Sequence, residues 1–190
     1  MSSRRIFLAI DLSDAARDVC AAHLEVLRSG FPNVRVGWER REKLHLTLKF
    51  LGSVDNGTLE ELQTRVEDFT QKYASFVLRL QDAGVFPAVP RPRILWIGTH
   101  DSSEILNQIH AELEDTCEAI GFEREAKRFH PHVTIGRVRE PHSARKLAEY
   151  HLQTKIEPVE FKVAELVIYE SELQPTGSVY TAISAASLGS

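Results

Sequence analysis

His45-Leu46-Thr47-Leu48 and His132-Val133-Thr134-Ile135 spell one pattern twice: histidine, apolar, threonine, apolar. On a β-strand successive side chains alternate faces, so each His–Thr pair shares one face, roughly 6.7 Å apart along the strand, and the apolar pair turns to a core. One such tetrapeptide is an ordinary half-solvated strand. Two copies, 87 positions apart between residues 45 and 132, ask for a common cause. Two imidazoles facing across a cleft suit acid–base chemistry in which one removes a proton while the other supplies one. Two threonine hydroxyls beside them can donate to anionic oxygens. The set fits a central anion attacked on one side and departing on the other. A phosphodiester answers that description, and a 2′,3′-cyclic phosphate does so well, because its ring opens with water, a base and an acid.

The elements that must carry these pairs can be read along the chain. Ile6 to Ile10 is a continuously apolar strand, and Ile94 to Gly98 opens a second unit in the same way. An amphipathic helix follows each. Ser13 caps the stripe Ala16, Val19, Cys20, Leu24, Leu27, and Asp101 to Ser103 caps Leu106, Ile109, Leu113, Cys117, Ile120. Val34 to Trp38 is a strand and Glu39 to Lys43 a turn before the first motif, whose strand continues to Gly52. Thr58-Leu59-Glu60-Glu61 has capping-box form ahead of Leu62, Val66, Phe69 and Tyr73. Phe76 to Leu80 is the next strand, and the proline-rich stretch Ala83 to Arg93 is an irregular seam between units. Phe122 to Phe129 leads into the second motif. A short helix over about 143–151, anchored by Leu147 and Leu152, precedes strands at Val159–Val163 and Glu165–Tyr169. A turn at Gln174-Pro175-Thr176-Gly177, a strand at Val179–Ser184 and a fraying tail from Ala185 complete the reading.

Strand, helix, His-x-Thr strand, helix, strand, twice over, is the order of an α+β protein. It suggests a bilobal fold with two-fold pseudo-symmetry, two antiparallel-rich sheets and outer helices, the motifs facing one central cleft. The whole chain, 1–190, reads as one such domain with an internal repeat over approximately 4–82 and 93–184. A 43% hydrophobic content is enough to bury its core. The net charge of −4 argues against a broad basic surface following long nucleic acid, while leaving room for a local cationic pocket around a terminal phosphate. Cys20 and Cys117 fall on helix stripes, the pattern of buried free thiols in a reducing compartment. The apolar run after Arg4 and Arg5 stops at Asp11, too short for a signal peptide or membrane span, so the expected location is cytoplasmic.

The flanks of the motifs resemble a known family. Leu44 to Gly52 as LHLTLKFLG, Phe129 to Arg137 as FHPHVTIGR, the opening Arg5 to Ile10, the Phe86-Pro87 loop, and Glu170-Ser171-x-Leu173 with Gly177 and Tyr180 are similar to the two-histidine (2H) phosphoesterases. The similarity points to the RNA 2′,3′-cyclic phosphodiesterase branch, also called 2′-5′ RNA ligase, and covers almost the whole chain in order. It implies a LigT-like fold, no metal and no nucleotide cofactor, and hydrolysis of RNA 2′,3′-cyclic phosphate ends to 2′-phosphomonoesters, with reversible 2′-5′ ligation as a companion reaction. It assigns His45 as proton donor to the 3′ oxygen, His132 as proton acceptor from water, and Thr47 and Thr134 as holders of the non-bridging oxygens. The residues alone leave the two histidine roles interchangeable. The implied partners are RNA or oligonucleotide ends bearing the cyclic phosphate, with no membrane and no obligate protein partner.

Arg137 matches the family's basic residue beyond the second motif, yet strict alternation turns it away from His132 unless Gly136 marks a bulge. Lys49 has the opposite standing, since parity puts it beside His45 and Thr47, where the expectation is a solvated side chain. His130, two before His132, opens an alternative zinc hydrolase built on His130, His132 and His45, lacking an evident carboxylate or fourth ligand. A second alternative keeps the fold but only holds a nucleotide or RNA end. Retention of both His and both Thr favours the enzyme. Phe7, Trp38, Phe50 and Phe129 read as core, with room for one to stack on a base. The remaining histidines, His23 and His151 among them, read as surface or partly buried positions.

Overall fold

Five consecutive apolar residues, Ile6 to Ile10, are all but completely buried, which requires material on both faces of their strand. That strand, β1 (Ser3–Asp11), lies inside a mixed-order antiparallel sheet. The computed structural model describes residues 3–175 and 177–189, so Thr176 of the expected turn lies outside the described residues. The elements in order are β1, α1 (Asp14–Gly30), β2 (Val36–Trp38), β3 (His45–Asp55), α2 (Asn56–Thr70), β4 (Phe76–Phe86), β5 (Ile94–His100), α3 (Ile105–Ala119), β6 (His132–Val138), α4 (Arg145–Gln153), β7 (Val159–Val163), β8 (Glu165–Gln174) and β9 (Gly177–Ser187).

The two expected sheets are halves of one. Among the described residues the strands run β7-β4-β5-β6-β3-β1-β8-β9, with β2 pairing β6, and the halves meet at a single antiparallel pair, Leu46↔Val133. The halves also exchange strands. β4 follows the first motif in sequence but pairs β5, whereas β8 follows the second motif and pairs β1. Helices cross likewise: α1 packs on β6 and β7 and against α4, while α2 packs on β3, β8 and β9 and against α3.

Local chemistry explains the helix boundaries. The Ser13 hydroxyl accepts from Ala16 N at 3.2 Å, capping α1. The capping box expected at Thr58 is displaced by one turn. Asp55 is the cap, accepting from Thr58 N at 3.1 Å and from Thr58 Oγ1 at 2.8 Å, so Thr58 sits inside the first turn. At α3 the Asp101 carboxylate reaches Leu106 N at 2.7 Å, which satisfies an orphan donor although Glu104 occupies the cap position in the left-handed region.

Two sequence expectations are corrected by pairing, and a third by exposure. Ala83 to Phe86 continue β4 instead of opening an irregular seam, because each finds a partner on β5 from Ile97 to Ile94. The indole of Trp96 lies over Gly84, where a Cβ would stand 2.0 Å from its Cζ2, so that glycine is required by a close approach. The chain end does not fray at Ala185: β9 runs to Ser187, and Leu188 is buried with its N–H donating to Ala164 O at 2.8 Å. Leu152 is exposed, and α4 is held down by Leu147, Ala148 and His151. No described helix is long and apolar enough to cross a membrane.

Candidate active site

Leu46 and Val133 are completely buried, each worth roughly 1.5–3 kcal/mol of transfer free energy, and a one-residue slip would put histidine and threonine into the core in their place. Their antiparallel pairing therefore fixes the register of the motifs. It sets His45 opposite Thr134 and Thr47 opposite His132, all four on the face away from the core. The four expected residues are thus gathered around the seam between the halves.

Each imidazole is oriented in the same way. His45 Nδ1 lies 2.7 Å from Lys43 O and His132 Nδ1 lies 2.6 Å from His130 O. A carbonyl only accepts, so Nδ1 carries the proton in both rings and Nε2 is left as the group that gains or loses one. His45 Nε2 is 3.0 Å from Thr47 Oγ1. Aromatic walls enclose both rings. Phe7, Tyr169 and Tyr180 surround His45, with ring centroids of Phe7 and Tyr180 at 5.1 and 5.4 Å. Phe86 and Trp96 stand at 5.2 and 5.8 Å from His132. His130 packs edge-on against Trp96, so its ring belongs to this wall.

Burial pushes both histidines below the ordinary imidazole value, and Arg137 pushes each in the same direction. The charges around the motifs differ. Asp11, opposite His45 on β1, works against burial and favours the His45 imidazolium, opposed by Arg17 at 3.6 Å from Asp11, while no carboxylate acts on His132 and His130 pushes it further down. Asp11 is itself held by the Tyr169 hydroxyl, which donates to both carboxylate oxygens at 2.9 and 3.0 Å. Asp11 and Tyr169 were not singled out from sequence. Only strand pairing brings them to His45, and nothing in their local pattern signals it.

Bulges decide the positions beyond the motifs. Between β1 and β3 the register passes from Ala9↔Thr47 to Leu8↔Lys49, leaving Leu48 unpaired; between β5 and β6 it passes from Trp96↔Thr134 to Leu95↔Gly136, leaving Ile135 unpaired. Each bulge reverses the face that follows. Arg137 accordingly lies on the His132/Thr134 side, half-exposed, with Nε 3.5 Å from Glu39 Oε1. Phe50, expected in the core, is 61% exposed at the equivalent position after the first motif. Lys49 is corrected in the other direction. It is buried, not solvated, and donates to Glu114 Oε1 at 2.7 Å and Glu123 O at 3.1 Å. Gly136 also admits Trp38, whose Cε3 would be 2.9 Å from a Cβ there.

A pocket of about 520 Å³ opens beside His45, lined by Asp11, Lys43, Tyr169, Val179 and Tyr180 among others. Lys43 donates to Ser178 O, and its ammonium stands 5.8 Å from the Tyr180 ring centroid. Among the described residues no group of three or more His, Cys, Asp or Glu side chains is arranged to hold a metal ion, so the His130/His132/His45 grouping of the zinc reading is not assembled.

The family model described as the 2′-5′ RNA ligase superfamily matches residues 11–175. A Methanothermobacter thermautotrophicus protein named RNA 2′,3′-cyclic phosphodiesterase is 35% identical over 179 residues, covering 93% of this chain and 95% of that one. A Thermotoga maritima protein of the same name is 32% identical over 178 residues, 93% and 91% of the two chains. Among solved structures, E. coli LigT complexed with 3′-AMP superposes with a TM-score of 0.77 at 26% identity over 100% of both chains. TT0787 of Thermus thermophilus gives 0.77 at 27% identity over 97% of both.

Proposed function

The chain belongs to the 2′-5′ RNA ligase superfamily, and from that premise we propose that it opens the 2′,3′-cyclic phosphate at RNA ends to a 2′-phosphomonoester, with His45 and His132 as acid and base. The observation that carries this reading is the pair of Nε2 atoms on one face, that of His45 held by the Thr47 hydroxyl at 3.0 Å, with both Nδ1–H groups committed to backbone carbonyls. The neutral His132 Nε2 removes a proton from water as the water oxygen forms its bond to phosphorus. The P–O3′ bond breaks, and the protonated His45 Nε2 delivers its proton to O3′. Thr47 and Thr134 donate to the non-bridging oxygens, and the Arg137 guanidinium offsets their charge.

Asp11 supports this direction of roles, because it favours the charged form of His45 alone. Replacing water with an RNA 5′-hydroxyl runs the same steps toward a 2′-5′ linkage. The relatives' name and the 3′-AMP complex of LigT support an RNA end as the ligand. Cys20 and Cys117, free and buried with their thiols pushed up to about 12 by burial, support a reducing, cytoplasmic setting. The repeat over about 4–82 and 93–184 belongs to the same proposal, as a duplication whose halves have exchanged β4 and β8 within one domain.

The test is incubation of the purified chain, in chelator, with a 2′,3′-cyclic-phosphate oligonucleotide, and assignment of the product's phosphate position. A 2′-phosphate is expected. His45→Ala and His132→Ala should each lose about 100- to 10,000-fold in rate. A leaving group that needs no proton should partly rescue His45→Ala and not His132→Ala. A 3′-phosphate product, or wild-type rate in either variant at matched folding, overturns the reading.

A further inference from the structure

On a chain of net charge −4, arginines gather in one groove. It lies along β2 and the end of α1, encloses about 1060 Å³, and is lined by Arg28, Arg35, Arg40, Arg41 and Arg139 against only two acidic residues, Glu25 and Glu39. Its apolar lining includes Phe31, Val36 and Trp38. Three of the arginines are engaged: Arg28 lies 3.9 Å from Glu25, Arg35 2.9 Å from Glu140, and Arg41 2.5 and 3.2 Å from Asp18 and Asp14. Arg40 and Arg139 are exposed and make no ion pair among the described residues. Glu39 faces Arg137, which reduces its opposition to an anion.

The groove is continuous with the cleft. Arg40 lines both the groove and the pocket beside His45, and β2 lies against β6 with Gly37↔Arg137 and Trp38↔Gly136 in register. A strand whose terminal phosphate sits between the motifs would leave across β2. The second large groove near the site, beside His130, sets Arg128 against Asp101 and Glu104, the wrong balance for a polyanion.

We propose that this groove binds the single-stranded RNA upstream of the cyclic end, with Arg40 and Arg139 on successive phosphates and the apolar floor under the bases. The inference rests on the reading of the cleft as the site of the terminal cyclic phosphate, and it gives an oligonucleotide contacts that a free cyclic nucleotide lacks. Unlike a broad basic surface, a track of two unpaired arginines fits an acidic protein that touches only a few nucleotides.

The test uses the full chain and the Arg139→Gln variant, whose position lies outside the His45 pocket. Fluorescence anisotropy follows binding of a labelled hexanucleotide ending in a 2′-phosphate across a salt series, and turnover is measured separately on 2′,3′-cyclic AMP. Arg139→Gln should weaken hexanucleotide binding about five-fold, as expected for one exposed charge contact, and reduce the slope of log affinity against log salt by about 0.7. Turnover of 2′,3′-cyclic AMP should stay at the wild-type rate. Unchanged affinity and slope overturn the groove assignment, and so does an equal loss on both ligands. Failure of the wild type to open the 2′,3′-cyclic phosphate form of the same hexanucleotide while the anisotropy difference holds overturns the catalytic reading and leaves the groove standing.

Discussion

Removing the Lys49 ammonium tests the first bulge directly. Lys49→Met keeps the volume of the stem but deletes a cation that is 2% exposed and sits 2.7 Å from the Glu114 carboxylate, itself 7% exposed. Burial pushes the Glu114 carboxyl up, and the Lys49 ammonium and the Glu125 N–H, at 3.0 Å, more than reverse that, holding it below the ordinary range. Without Lys49 a buried carboxylate keeps one backbone donor and His110 Nε2 at 3.8 Å, and the Glu123 carbonyl loses its partner. Breaking one side of a buried pair costs about 3–5 kcal/mol, which for a chain of this size lowers Tm by about 10 °C. Glu114 with a lowered folded-state pKa stabilises the wild type above about 4.3 and loses that contribution as pH falls through the lower folded value. In the variant burial is opposed only by the Glu125 N–H and His110, so the loss measured by denaturant titration should be largest at pH 7 and shrink towards pH 4. Lys49→Met with Glu114→Leu should regain most of the stability, since two apolar groups leave no charge unpaired. A loss below about 1 kcal/mol at pH 7, or a double variant no better than the single, would refute the buried pair as the element that fixes this turn of β3.

Three further outcomes follow from the geometry. Because burial holds both histidines below the ordinary value of about 6.5, the kcat/KM profile should peak on its acid side, and Asp11→Asn, by removing a charge that favours the His45 imidazolium, should move only the alkaline limb to lower pH; movement of the acidic limb instead would reverse the roles of the histidines. His23 Nε2 lies 2.9 Å from His151 Nδ1, and the His151 Nε2–H reaches the carbonyls of Gly84 and Trp96 at 3.1 Å, so two histidines expected at surface or partly buried positions form a buried pair. Burial first, then the neighbouring ring, lowers His23 to about 4; stability from this group is complete above about 6.5 and falls towards pH 4, a span on the order of 3 kcal/mol, and His23→Leu should remove about one proton from the acid-side slope in pH-dependent melts. Gly84→Ala places a Cβ against the Trp96 indole and should cost about 1–3 kcal/mol together with a loss of kcat, read against an unchanged far-ultraviolet spectrum, whereas full activity would remove Trp96 from the support of His132.

Pattern within a few residues already picked out the two His–Thr pairs that the fold brings onto one face. The alternation of His-x-Thr with buried Leu46, Leu48, Val133 and Ile135 needs no partner to be recognised, and the same holds for the apolar run of β1 and the stripes of α1 and α3. Alternation fails at the first residue beyond each motif, because a bulge is a property of two paired strands and not of one. The unpaired Leu48 and Ile135 turn Lys49 inward and send Phe50 and Arg137 to the cleft side, and those outcomes depend on where β1 and β5 resume their hydrogen bonds. The strand exchange that places β8 beside β1, and with it Tyr169 beside Asp11 and His45, is equally invisible along the chain. It also separates two motifs that are nearly identical in sequence. Tertiary pairing delivers a carboxylate to one imidazole and not to the other, an asymmetry that the two near-identical tetrapeptides do not contain.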